Sequence, residues 1–256
     1  MRMQKEFRNE PVLVIAVNSG NPDYEVKRYM NKVDADLPTI VDQDRSFEQQ
    51  FDFGKISLKN IIQIRVFRPD GRMAKLGIRN MTGGLSKRMG SPSWSVDPST
   101  VPEALLPLCR AVEFGAFHRA ARMFQQASNL TGKKKKVVQK LKGVVHQTAQ
   151  RQLNRAHTLK ESGKPWEAFQ LFRRVAFWYQ GYPNFTPPKQ AIQALRENEQ
   201  VEKELNASRV LQNIHKKRTR MGVPWKHPKV AKALRKLTRK FPDTEAAAEA
   251  KALMNP

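Results

Sequence analysis

The chain has 256 residues, of which 39% are hydrophobic, and a formal net charge of +24 at pH 7. That hydrophobic content is enough to build a core, so a chain disordered throughout is excluded. No apolar run approaches the roughly 18 residues of a membrane-spanning helix, and we expect no membrane span. The charged start of the chain lacks the apolar centre of a secretory signal, which favours a cytoplasmic location by default. An extracytoplasmic location stays open if the natural N-terminus lies upstream.

The positive charge is distributed unevenly along the chain. Residues 1–80 contain 14 Lys and Arg against 11 Asp and Glu, whereas residues 81–256 hold +21 of the net +24. An acidic partner would therefore be expected to bind the later part of the chain.

The first 60 residues alternate strand and helix patterns. Val12–Val17 is a continuous apolar run, which predicts a strand buried on both faces of a parallel sheet. A turn cluster at Asn18–Pro22 and an amphipathic helix follow, and Leu37–Val41 predicts the next strand. Strand, helix and strand in this order imply a right-handed parallel unit.

A β-hairpin is predicted next. Apolar and polar residues alternate over Ile62–Phe67, which is the period of a strand with one face on a core. Pro69–Gly71 then supplies the residues that a tight turn prefers. The apolar face resumes at Met73, and we expect this hairpin to join the same sheet.

The order of these elements resembles the thioredoxin-like fold, in its thiol-disulfide oxidoreductase and peroxiredoxin-related branches. The resemblance rests on Val12–Asn18, Leu37–Asp42, Phe47–Gly54 and Ile62–Gly71 and covers residues 1–78. It implies a Cys-X-X-Cys pair just before the first strand, but the only cysteine is Cys109. Two explanations stay open: a natural start further upstream that bears the cysteines, or a cysteine-free thioredoxin-like fold kept as a scaffold.

The remainder of the chain reads as a linker followed by helices. Glycine and proline are frequent in residues 81–102, and from about residue 103 the periodicity is helical. The spacing Gly-X4-Ala-X3-Phe occurs at Gly115 and again at Gly163, a period of 48 residues. It resembles the second helix of a tetratricopeptide repeat, in which glycine allows the turn, alanine the close approach and phenylalanine fills the groove.

The predicted fold class is therefore an α/β thioredoxin-like N-terminal domain followed by an all-α, tetratricopeptide-like helical-repeat domain. The predicted boundaries are 1–80 for the incomplete first domain, 81–102 for the linker and 103–256 for the basic helical domain.

Three basic clusters in the helical domain are candidate polyanion-binding sites, because clustered cations release counterions from a phosphate backbone. The competing interpretation is that they are the solvated faces of amphipathic helices. The candidate residues are Lys133, Lys134, Lys135, Lys136, Lys216, Lys217, Arg218, Lys232, Arg235, Lys236, Arg239 and Lys240.

No catalytic, cofactor-binding or metal-binding constellation is predicted, since the five histidines lack ligand spacing. The leading hypothesis is a redox-inactive scaffold whose helical domain binds other proteins. One alternative is a thiol-disulfide oxidoreductase with its cysteine pair upstream of Met1. The other is a non-specific nucleic-acid binder that uses the basic helices.

Overall fold

A computed structural model describes residues 7, 10–34, 37–43, 45–51, 63–68, 72–77, 83–85, 87, 94–182, 185–186 and 188–254. The chain divides into two compact units, Met1–Phe114 and Gly115–Pro256, which are described separately below. The division into 1–80, 81–102 and 103–256 stays a prediction.

Besides two short 3-10 helices, Pro98–Thr100 and Glu103–Leu105, the first unit contains four short strands and three α-helices whose bounds are described. They are β1 (Ala16–Ser19), α1 (Asp23–Lys32), β2 (Thr39–Asp42), α2 (Ser46–Gln50), β3 (Ile64–Phe67), β4 (Met73–Leu76) and α3 (Leu106–Glu113).

Seven helices are described in the second unit. They are α4 (Phe117–Gln126), α5 (Gly132–Glu161), α6 (Pro165–Trp178), α7 (Lys189–Arg196), α8 (Glu199–Met221), α9 (Pro228–Lys240) and α10 (Glu245–Met254). No helix in the described part of the chain is both long and apolar enough to cross a membrane.

Strands β1 and β2 pair in parallel, with Ala16 opposite Thr39 and Ser19 opposite Asp42. This pairing confirms the predicted parallel strand–helix–strand unit. The expectation that both faces of the first strand are buried is wrong, because Leu13, Ile15 and Val17 are 43%, 45% and 37% exposed. A parallel strand is buried on both faces only where helices cover both sides, and α1 is a single crossover helix.

The predicted hairpin forms, but it does not extend the parallel sheet. Strands β3 and β4 pair antiparallel, with Ile64 opposite Leu76, in a separate two-stranded sheet. Leu76 packs with Phe7 and Leu85 in a small apolar cluster. Ile62 and the turn Pro69–Gly71 lie outside the described residues.

The predicted fold class is wrong. About 66% of the described residues are helical, and the four described strands form two small sheets of two strands each. The result is a mostly helical chain and not an α/β thioredoxin-like domain followed by a tetratricopeptide-like domain. Alternation of apolar residues indicates a strand, but it does not say which strands hydrogen-bond to each other.

The two glycine motifs do adopt the same local conformation. Gly115 and Gly163 have φ of 71° and 75°, a region that glycine enters without strain, and α4 and α6 begin within two residues of them. The alanine of each motif is fully buried and the phenylalanine is at most 4% exposed. The helices differ in length, at 10 and 14 residues, and the 30-residue α5 separates them.

The last three helices share one core. Val230, Leu234 and Leu237 of α9 pack with Leu211 and Ile214 of α8. Helix α10 closes this core with small side chains that allow close approach of the helices, namely Ala246, Ala247 and Ala250.

Candidate polyanion interface

Helix α9 is amphipathic in an unusual way, because every charged residue on it is a cation. Its thirteen residues contain six Lys and Arg and no Asp or Glu. Pro228 occupies the first turn, where proline is tolerated, and Val230, Leu234 and Leu237 form the buried seam. The six cations are all exposed: Lys229, Lys232, Arg235, Lys236, Arg239 and Lys240.

These six side chains form no ion pair with any described residue. The carboxylates of the neighbouring α10 region are engaged elsewhere: Asp243 lies 3.6 Å from the Nζ of Lys203, and Glu249 lies 3.4 Å from the Nε2 of His215. Lys240 additionally lies over the ring of Phe241, with its Nζ 5.2 Å from the centroid. Among the described residues, the charge of α9 therefore faces solvent without local neutralisation.

A second predicted cluster, Lys216, Lys217 and Arg218, lies next to the start of α9. Trp225, in the loop between α8 and α9, packs on the shared core. The guanidinium carbon of Arg218 lies 4.3 Å from the centre of this indole, and the ring of His215 lies 4.5 Å from it. Lys216 and Lys217 are exposed on the same last turns of α8. The structure thus brings this cluster together with the N-terminal end of α9.

The third cluster, Lys133–Lys136, belongs to a different pair of helices. These four lysines occupy the first turn of α5, which packs chiefly against α6, and all are exposed. Cations at a helix N-terminus oppose the helix dipole, and Thr131 supplies no side-chain hydrogen bond there. The helix dipole therefore disfavours the four lysines at the start of α5. By contrast, Arg239 and Lys240 lie at the C-terminus of α9, where cations interact favourably with the dipole.

Spacing along α9 suits a phosphate backbone. Lys229 and Lys240 are eleven residues apart, so at about 1.5 Å per residue the cations extend over roughly 16 Å. Phosphates of one strand are about 3.4 Å apart along the duplex axis, so such a stripe can face several of them. The surface can therefore neutralise phosphates.

Sequence reasoning missed a cavity of about 430 Å³ in the second unit. It lies between α4, α5 and the segment that follows α6, with mainly apolar and aromatic walls. Its lining includes Ala121, Phe124, Lys142, Val145, Tyr179 and Phe185. The aromatic run after Trp178 was the available signal, but the residues that face it are 30 or more positions away in the sequence.

Two tyrosines of the cavity are strongly affected by their surroundings. Burial raises the pKa of Tyr179 to about 12, against a smaller opposing effect of Arg151. Burial also raises the pKa of Tyr182, whose hydroxyl donates a hydrogen bond of 3.0 Å to the carbonyl oxygen of Phe117. The hydroxyl of Tyr179 is buried and has no hydrogen-bond partner among the described residues.

Cys109 lies in the first unit and is 1% exposed. Its Sγ lies 3.6 Å from the carbonyl oxygen of Val96, and burial raises the pKa of the thiol. A buried thiol with a raised pKa has little thiolate at neutral pH, so it is a poor nucleophile. In the part of the chain that the structure describes, no three His, Cys, Asp or Glu side chains are grouped so as to hold a metal ion.

Neither the scaffold role nor an upstream cysteine pair is tested by these observations, and both stay predictions. Comparison with known proteins adds nothing further, because no family model, curated protein or solved structure matches the chain.

Proposed function

We propose that this protein binds nucleic acid through its helical unit, without sequence preference, and that α9 makes the principal contact. One observation supports this proposal above the others. Six cations of α9 are exposed and unpaired among the described residues, on the face opposite the buried seam of Val230, Leu234 and Leu237.

The alternative is an ordinary solvated helix face. Such faces usually intersperse both signs of charge, because like charges repel and ion pairs relieve the repulsion. Helix α9 has no carboxylate, and the whole unit Gly115–Pro256 contains 30 Lys and Arg against 9 Asp and Glu. A phosphate backbone would neutralise this repulsion on binding and would release condensed counterions.

The test is the binding of a fluorescent 20-nucleotide RNA to the full chain across a salt series. The measured quantity is the slope of log K against log salt, which is about −0.7 per neutralised phosphate for a single strand. Reversal of Lys232, Arg235 and Lys236 to Glu should flatten this slope by about 2, because about three phosphate contacts are lost. All three side chains are exposed, so the fold should be retained.

A matched control separates the α9 stripe from net charge. Arg196, Arg209 and Lys251 are exposed on three different helices, and their reversal changes the net charge by the same amount. We expect this variant to retain most of the native slope. Equal losses in both variants, or no binding by the native chain at low salt, would contradict the proposal.

The reversal of Lys134, Lys135 and Lys136 is the third variant of the series. If α9 is the principal contact, this variant should lose less affinity than the α9 variant. A larger loss would move the interface to the start of α5 and would contradict the assignment to α9.

A further inference from the structure

The cavity of the second unit has the size and walls of a small-molecule site. Its volume of about 430 Å³ falls in the range of roughly 300–1,000 Å³ typical of ligand pockets. Phe124, Val145, Ala149 and Phe185 make much of its lining apolar. It lies wholly within the unit Gly115–Pro256 and is formed by residues other than the cationic stripe of α9.

A buried hydroxyl at this cavity lacks a partner. Tyr179 lines the cavity and is 1% exposed, and its hydroxyl oxygen makes no hydrogen bond with the described residues. A polar group left in this state costs about 1–3 kcal/mol. Neighbouring Tyr182 also lines the cavity, but its hydroxyl is already bonded to the carbonyl of Phe117. Because the Tyr179 hydroxyl is itself buried and the Tyr182 hydroxyl is already bonded, we expect both tyrosines to offer the cavity ring surface and not a polar group.

The charges at the cavity indicate the sign of the ligand. Lys142 is the only charged side chain among the described residues that line the cavity, and none of those residues is Asp or Glu. Lys142 is exposed, and its Nζ lies 5.9 Å from the centre of the Phe124 ring. This lysine has no described ion-pair partner, so it is available to an anionic group of a ligand.

We propose that this cavity binds a small amphiphilic carboxylate. The apolar body of the ligand lies against Phe124, Val145 and Tyr179, and its carboxylate pairs with Lys142. Water alone would fill the cavity but would leave its apolar walls wet.

Gly143 allows this proposal to be tested with little damage to the fold. It lies inside α5, it lines the cavity, and a Cβ built at this position meets no atom within 4 Å. Gly143→Phe therefore places a ring at the cavity, and Gly143→Ala adds a single methyl group. Both replace glycine inside a helix, where almost any other residue is more favourable.

The experiment is isothermal titration of the full chain with decanoate, and with decanol as the neutral analogue. We expect saturable decanoate binding below 1 mM in the native chain, a change below threefold in Gly143→Ala and a loss of at least tenfold in Gly143→Phe. Lys142→Gln should bind decanoate no better than decanol. No saturable binding by the native chain, equal binding by Gly143→Phe, or a retained preference for decanoate in Lys142→Gln would overturn the proposal.

One measurement is independent of every variant. In the native chain with labelled valine methyl groups, decanoate methylenes should give intermolecular NOEs to the methyl groups of Val145. NOEs only to valines away from the cavity would show that decanoate binds elsewhere, and the proposal would be wrong.

Discussion

The carboxylate of Glu204, on α8, accepts hydrogen bonds from the backbone N–H of Glu245, the first residue of α10, at 3.0 and 3.2 Å. Glu204 is 4% exposed, so this contact is inside the protein. The hydroxyl of Thr244 accepts a hydrogen bond of 3.2 Å from the backbone N–H of Ala247, at the same end of the helix. Helix α10 is therefore capped both by its own preceding residue and by a neighbouring helix.

Removal of the Glu204 carboxylate should destabilise the last three helices. Glu204→Ala leaves the N–H of Glu245 without its acceptor, and loss of such a cap costs about 0.5–2 kcal/mol. Glu204→Gln retains an acceptor oxygen and should lose less. Urea unfolding followed by circular dichroism measures both variants. Equal free energies of unfolding for native chain and Glu204→Ala would show that the cap contributes nothing.

The same residue should make stability depend on pH. Burial raises the pKa of the Glu204 carboxyl above its ordinary value of 4.5, although the hydrogen bond from the N–H of Glu245 opposes this shift. A carboxyl with a raised folded-state pKa binds more protons in the folded chain than in the unfolded one. Its stabilisation is therefore fully present below pH 4.5 and is lost as the pH rises through the folded pKa.

The comparison of the native chain with Glu204→Gln isolates this contribution. The free energy of unfolding of the native chain, relative to that of the variant, should decrease as the pH rises above 4.5. Glu202→Gln is the control for removal of one exposed charge from the same helix. A relative stability that increases with pH would mean that the folded chain favours the ionised form of Glu204.

The glycine that precedes α6 should not tolerate a side chain. Gly163 has φ of 75°, and a residue with a Cβ pays about 1–2 kcal/mol in this left-handed region. Gly163→Ala should lower the free energy of unfolding by about that amount. Gly143→Ala, inside α5, should raise it by about 0.5–1 kcal/mol, because glycine is a poor helix former. We expect the two substitutions to change the measured free energy of unfolding in opposite directions.

Substitutions on the buried seam of α9 should lower the stability of the protein, whereas substitutions on its cationic face should weaken RNA binding. Leu234 is fully buried in the core shared by α8, α9 and α10, and Leu234→Ala should cost about 2–5 kcal/mol. Lys236→Glu, two residues further on, should change the free energy of unfolding by less than about 0.5 kcal/mol while it weakens RNA binding. Thermal unfolding and RNA titration of both variants provide the comparison. Equal destabilisation would show that the cationic face contributes to folding.

Cys109 should be inert in the folded chain. Its thiol is buried and has a raised pKa. We therefore expect a disulfide reagent that releases a coloured product to react with it only as fast as the protein unfolds. The rate should rise steeply in denaturant. The chain should also show no more insulin reduction than Cys109→Ala. Rapid labelling in native buffer would contradict the buried position of the thiol.

Several local features followed from the sequence alone. From about residue 103 the periodicity predicted helices, and α5 occupies Gly132–Glu161 in that part of the chain. Asp243 and Thr244 are both of the residue types that commonly cap a helix, and the Thr244 hydroxyl fills that role for α10. These features depend on residues within one or two turns of each other, so local pattern is enough to specify them. The cationic face of α9 is of the same kind, because the buried seam and the charges alternate within a single helix.

What the sequence did not determine depends on contacts between distant residues. The strands of the first unit were identified, but β3 and β4 form their own sheet, since local alternation does not specify pairing partners. The cavity brings Phe124 of α4 and Val145 of α5 to Tyr179, which follows α6. The buried Glu204 reaches across 41 residues to Glu245. Only the packing of the helices decided these relationships, because a side chain's partners in space are fixed by the tertiary fold and not by its neighbours in the chain.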